Sequence, residues 1–222
     1  MSIDDYSTGE PRKHHSLYFE DGNFVMQVEN AIFKVHQSLL SRYSVVISEM
    51  LAAPSQGESK DGTDEKPLVF PDDSALGWEL LLSIQYARPR INPEIFNGKQ
   101  MLWILPIAHK YCMEEIEADV INELKKNISM DGYVDLMVAS QIVGSDELHQ
   151  TGLKGLISSQ TAPNLDQAIR IGVEATHAVM LACIVNAQIQ RSTLASDNRE
   201  CRHCGSFTNW KCATPACHKR QT

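Results

Sequence analysis

The sequence predicts an α+β fold: a short sheet with a cluster of helices, followed by an all-α extension and a small cysteine-rich tail. Three observations predict it. Two β-prone runs, Phe24–Val28 and Ile32–Val35, are separated by turn residues and read as a hairpin. From Leu39 onward, apolar residues recur at steps of three and four, the spacing of one helix face. Four of the six cysteines, Cys201, Cys204, Cys212 and Cys217, crowd the last 22 residues.

The elements follow in order. Residues 1–16 are polar and carry no helix-start signal, so they are expected to be disordered. Asp21-Gly22-Asn23 is turn chemistry, and the hairpin follows it. Leu39, Leu40, Tyr43, Val46, Ile47, Met50 and Leu51 then trace a helical stripe, which Ser44 is placed to split by capping a second start. Residues 54–66 contain no apolar anchor and predict a flexible loop. Leu68-Val69-Phe70 restores a short strand, and Pro71 to Ser74 announce a helix over 75–86. That helix is apolar almost all round (Leu76, Trp78, Leu80, Leu81, Leu82, Ile84), which predicts deep burial.

Met101 to Cys112 give another helical stripe, in which Pro106 marks a kink or a first turn. Met113 to Leu124 give the next. From Asp131 onward only helical signals occur: 133–143, 147–158, 165–173 and 176–189. Short pieces joined by Gly or Pro-Asn turns suggest packed helical hairpins.

Composition narrows the function. A chain of 222 residues suits one large domain or two small ones. No run approaches the ~18 apolar residues of a membrane span. Met1-Ser2-Ile3-Asp4-Asp5 has acids where a secretory signal carries bases, so the cytoplasm or nucleus is expected. The net charge of −8 argues against nucleic-acid binding over the whole surface. Residues 199–222 carry five bases against Glu200, a local +4, which leaves −12 for the rest.

Phe33-Lys34-Val35-His36-Gln37-Ser38-Leu39-Leu40, continuing through Ser44 to Met50-Leu51, resembles the first signature of the BTB/POZ domain: an aromatic, a nearby His, an apolar pair, a Ser and a closing apolar pair. The helix ending Ala108-His109-Lys110-Tyr111-Cys112 is similar to the second signature. The resemblance covers roughly residues 17–127 and is strongest to BTB proteins abundant in mushroom-forming fungi. Asn23 stands where the family usually has Asp. The resemblance implies a BTB/POZ domain over 17–128, a helical extension over 129–196 and a tail over 197–222. It also implies a protein-binding scaffold or adaptor, engaging itself, another BTB chain or a cullin-type ubiquitin ligase, with no reaction of its own.

Candidate sites are few. His36 reads as a core residue bonding to backbone. His109 and Cys112 share a helix turn and could form a thiolate–imidazole pair, but both continue the apolar stripe. The adjacent acids Asp72-Asp73 and Glu114-Glu115 read as caps or solvated faces. No phosphate loop, nucleophile elbow or His-Glu-x-x-His pair occurs, so no enzyme is expected. Tyr18, Phe19 and Phe24, with the helix pair from Tyr43 to Met50, are either partner contacts or core.

The tail holds the one sharp metal signal. Cys201-x2-Cys204 and Cys212-x4-Cys217 could supply four thiolates to one Zn²⁺, with His218 as an alternative to Cys217. So small a segment would depend on the metal to fold. A zinc-folded basic tail also raises nucleic-acid binding or transcriptional regulation, ranked below protein contact.

Overall fold

The structure, a computed structural model, describes residues 9–53, 61–87 and 96–197. Within them the elements run β1 (Arg12–Tyr18), β2 (Phe24–Val28), β3 (Ala31–Val35), α1 (Gln37–Tyr43), α2 (Val45–Ala52), β4 (Leu68–Val69), α3 (Ala75–Tyr86), α4 (Gly98–Lys110), α5 (Glu114–Lys126), α6 (Met130–Val143), α7 (Asp146–Ser158), α8 (Leu165–Ile171) and α9 (Val173–Asp197). The fold is α+β, as the sequence predicts. The chain divides into two compact units, Met1–Gly152 and Leu153–Thr222. The boundary expected after residue 128 falls inside the first unit, between α5 and α6.

The sheet has the order β1-β3-β2-β4. The hairpin forms in the expected place: β2 and β3 pair antiparallel from Phe24↔Val35 to Val28↔Ala31, around a two-residue turn. Glu29 in that turn takes a positive φ of 50°. β1 and β4 flank the hairpin, each parallel to its neighbour. Phe24, Met26, Val28, Phe33 and Val35 are all buried.

Two expectations are corrected here. Residues 12–16, read as disordered, belong to β1. Apolar alternation is weak there, but His14 supplies the missing inward side chain, stacking 4.9 Å from the Phe33 ring. Residues 61–66, read as flexible, form an ordered turn beside β2, with Val25 donating to the Gly62 carbonyl at 2.8 Å. Asp64 fixes that turn by accepting from Lys34 at 2.7 Å and from the Tyr18 hydroxyl. Charged contacts order a segment that has no apolar anchor. Residues 1–8 and 54–60 lie outside the described residues.

Ser44 splits the helix as its chemistry predicts, its Oγ accepting from Ile47 N at 2.9 Å to start α2. α1 is capped differently. His36 makes no side-chain cap; Asn23, at the mouth of β2, accepts from Gln37 N at 2.8 Å and ties helix to strand. α3 is buried as expected, with Trp78, Leu81 and Leu82 fully enclosed. α4 continues past Pro106, which is exposed and lies in the helix interior rather than in its first turn. Capping boxes at Asn97/Gln100 and Asn164/Gln167 start α4 and α8. In the second unit α8 and α9 meet at Gly172, whose φ of 84° favours glycine.

Candidate interaction surface

The first unit's most elaborate polar cluster centres on Asp73, at the junction of β4 and α3. Its Oδ2 accepts from Trp78 Nε1 at 2.9 Å and from the Tyr111 hydroxyl at 2.7 Å. Its Oδ1 accepts from Lys110 Nζ at 2.6 Å, and the same ammonium donates to the Pro71 carbonyl at 3.2 Å. The Asp73 side chain is only 3% exposed, so these donors replace the water it has lost. The rings of Phe70, Trp78 and Tyr111 surround the cluster with centroids 5.2–5.7 Å apart. Burial first, and then the bond to Asp73, push the Tyr111 hydroxyl well above the usual phenol range. Tyr111 is therefore a fixed neutral donor. Asp73, expected as a helix cap or part of a solvated face, is instead the hub between the β4–α3 junction and the end of α4. The adjacency of two acids concealed this, and the nearby Trp78 and the distant Tyr111 were its only sequence signals.

This hub positions α2. Ser44 Oγ donates to the Tyr111 carbonyl at 2.6 Å while capping α2, and Ile47 is completely buried. With its inner side fixed, α2 turns Val45, Val46 and Met50 to water at 67%, 39% and 38% exposure. Tyr43 is half-buried. The segment expected as a contact region thus holds an exposed apolar face, whereas Phe24, named beside it, is 3% exposed and belongs to the core.

Tyr18 and Phe19 are half-buried. Phe19 packs 4.6 Å from the Tyr86 ring and 5.8 Å from His36. His36 is half-buried rather than core. The Tyr86 hydroxyl lies 3.0 Å from His36 N and 2.9 Å from Nδ1, and Nε2 faces Asp21 at 3.4 Å. The Tyr86 hydroxyl thus bridges the backbone and the ring of one residue. Burial raises the Tyr86 pKa, which keeps it a donor. These contacts brace the strand–helix junction.

The remaining candidates are engaged or absent from a common site. His109 Nδ1 lies 3.0 Å from Glu117 Oε2, and both His109 and Cys112 are exposed, off the buried stripe expected for them. Cys112 sits past the end of α4 with φ 50°, which turns it away from the helical periodicity. A depression of about 440 Å³ beside Asp73 is lined by Glu29, Val69, Pro71 and Ser74, among others. Glu29 there accepts from Ala75 N at 3.0 Å and Ser74 from Gly77 N at 3.3 Å, so both are occupied with helix starts. Among the described residues no group of His, Cys, Asp and Glu is arranged to hold a metal ion. Cys201, Cys204, Cys212, Cys217 and His218 lie outside the described residues. No described helix is long and apolar enough to cross a membrane.

The second unit carries an apolar groove of about 450 Å³ between α8 and α9, lined by Ala168, Ile169, Gly172, Val173, Thr176 and Met180, with His177 at its side. Beyond it, α9 exposes Leu181, Ile184 and Val185. Comparison of the sequence with protein-family models gives no match, and comparison with curated proteins gives none either.

Proposed function

We propose that the chain is a non-enzymatic protein-interaction module, a scaffold or adaptor whose first unit has the BTB/POZ arrangement and whose α2 face meets a partner protein. The observation that carries this reading is the trio Val45, Val46 and Met50, left in water on a helix whose opposite side is locked through Ser44 and Ile47. Exposed apolar side chains grouped on one rigid element mark a contact surface better than polar composition does. The order of β2–β3 hairpin, α1–α2 pair, β4, α3 and the α4–α5 pair supports the BTB/POZ reading. The engagement of Asp73, His36 and His109 in structural contacts supports the non-enzymatic part of the reading. A cullin scaffold is one partner class this reading admits.

The test is quantitative affinity capture with the full chain, comparing wild type with Val45→Asp/Met50→Lys. Proteins held by wild type and lost by the variant, at unchanged melting temperature, support the reading. Identical capture by both chains refutes it.

A second reading rests on cysteine spacing: residues 197–222 bind zinc through Cys201, Cys204, Cys212 and Cys217. Native mass spectrometry with added zinc should show one ion per chain, absent in Cys201→Ser/Cys204→Ser. No uptake removes this reading, and with it nucleic-acid binding through a zinc-folded tail.

A further inference from the structure

The exposed face of α9 is unlike an ordinary solvated helix. Met180, Leu181, Ile184 and Val185 are 44%, 48%, 53% and 50% exposed, and Val173, one end of the same stripe, is 85% exposed. At ~100° per residue these five fall within about 140° of the helix circumference. Val179 and Ala175, buried at 0% and 7%, mark the opposite side. From Ala178 to Gln190 the helix contains no Asp, Glu, Lys, Arg or His. Polar residues flank the Met180–Val185 part of the stripe: Glu174 and His177 between Val173 and Met180, and Gln188 and Arg191 after Val185, all exposed.

Their spacing is self-complementary. In an antiparallel pair with its two-fold axis midway between Ala182 and Cys183, Glu174 meets Arg191 of the second copy, and His177 meets its Gln188. By the same count Met180 stands level with Val185 on the opposite flank of the seam, and Leu181 stands level with Ile184 nearer its centre. One symmetric arrangement therefore brings opposite charges together at both ends, pairs two hydrogen-bonding side chains inside them, and buries the uncharged centre. A parallel pair would set Glu174 against Glu174 and Arg191 against Arg191. The five apolar side chains present on the order of 500 Å² per copy, and the four polar ones bring the face towards the ~800 Å² per partner of a stable interface. The groove beside Val173 and Met180 continues the same apolar surface onto α8.

We propose that this face of α9 binds a second copy of the chain, forming an antiparallel, two-fold symmetric helix pair closed by reciprocal Glu174–Arg191 ion pairs. The proposal rests on residues of the second unit alone and not on the α2 reading.

Sedimentation equilibrium of the full chain at low salt tests it. Wild type should sediment as a dimer of 24.8 kDa chains. Leu181→Glu/Ile184→Glu should weaken association at least tenfold. Glu174→Arg and Arg191→Glu should each weaken it roughly fivefold, because each places like charges at both ends, and the double exchange should restore it. Val45→Asp/Met50→Lys should leave it unchanged, which separates this proposal from the α2 reading. Thermal melts establish that each variant is folded, and the charge exchanges serve if the apolar variant is not. A wild-type monomer at 100 μM, a dimer indifferent to Leu181→Glu/Ile184→Glu, or charge reversals that the double exchange does not rescue would each overturn the proposal.

Discussion

Two neighbouring regions of the first unit invert the usual distribution of polarity, in opposite directions. Around Asp73 a carboxylate lies inside, with three donors closed upon it. On α2, apolar side chains lie outside with nothing of the first unit's core upon them. Ser44 joins the two regions, bonding to the Tyr111 backbone and capping α2 at once. The difference teaches which surprise belongs to stability and which to function. A buried carboxylate with both oxygens hydrogen-bonded holds elements in place. An exposed apolar face adds less to the fold than a buried one, and the proposed partner contact is placed there for that reason.

The comparison can be broken most decisively at Asp73. Asp73→Ala strands the Trp78 and Tyr111 donors in a closed site, and we expect a loss of about 3 kcal/mol in unfolding free energy. A loss under about 1 kcal/mol, measured by urea denaturation, would mean that the cluster is not a structural hub. Ser44→Ala should cost less, about 1–2 kcal/mol, since it removes one cap and one bond to the Tyr111 carbonyl. It should also weaken capture through α2, because it loosens the start of that helix.

His14 sharpens the comparison through pH. Its Nδ1 accepts from Leu17 N at 3.0 Å and from Ser16 N at 3.3 Å, and its Nε2 faces Glu79 at 3.7 Å. Burial lowers its pKa from 6.5, Glu79 works against that shift, and His15 adds to it. Below pH 6.5 the unfolded chain takes up this proton before the folded chain does, so stability falls as pH falls through that window. His14→Asn keeps an acceptor for Leu17 and removes the titration. Its stability should depend less on pH than wild type's between pH 7 and pH 5. An identical pH profile would show that His14 does not titrate with folding.

Much of the fold was legible because local chemistry and tertiary packing agree. The hairpin, the Ser44 break and the bounds of α3 follow from turn residues, a hydroxyl cap and an apolar run, each decided within a few residues of itself. β1 was not legible, since its strand state comes from pairing with β3 and from a histidine acting as the inward residue. The ordered turn at 61–66 was missed for a similar reason: Lys34 and Tyr18, distant in sequence, hold Asp64. The Asp73 hub joins residues 38 apart, which no local pattern records. The α2 face was half legible. Its helical stripe was visible, but the sides facing core and water were settled only by where Ser44 and Tyr111 meet.

The most direct test of the account is the unfolding free energy of Val45→Asp/Met50→Lys, measured beside wild type by urea denaturation. If the α2 face is a surface kept for a partner, the variant should lie within about 1 kcal/mol of wild type, because Asp at the helix start and Lys at its end suit the helix dipole. A loss of 2 kcal/mol or more would show that these side chains hold the fold together, and the proposed interaction surface would be part of the core.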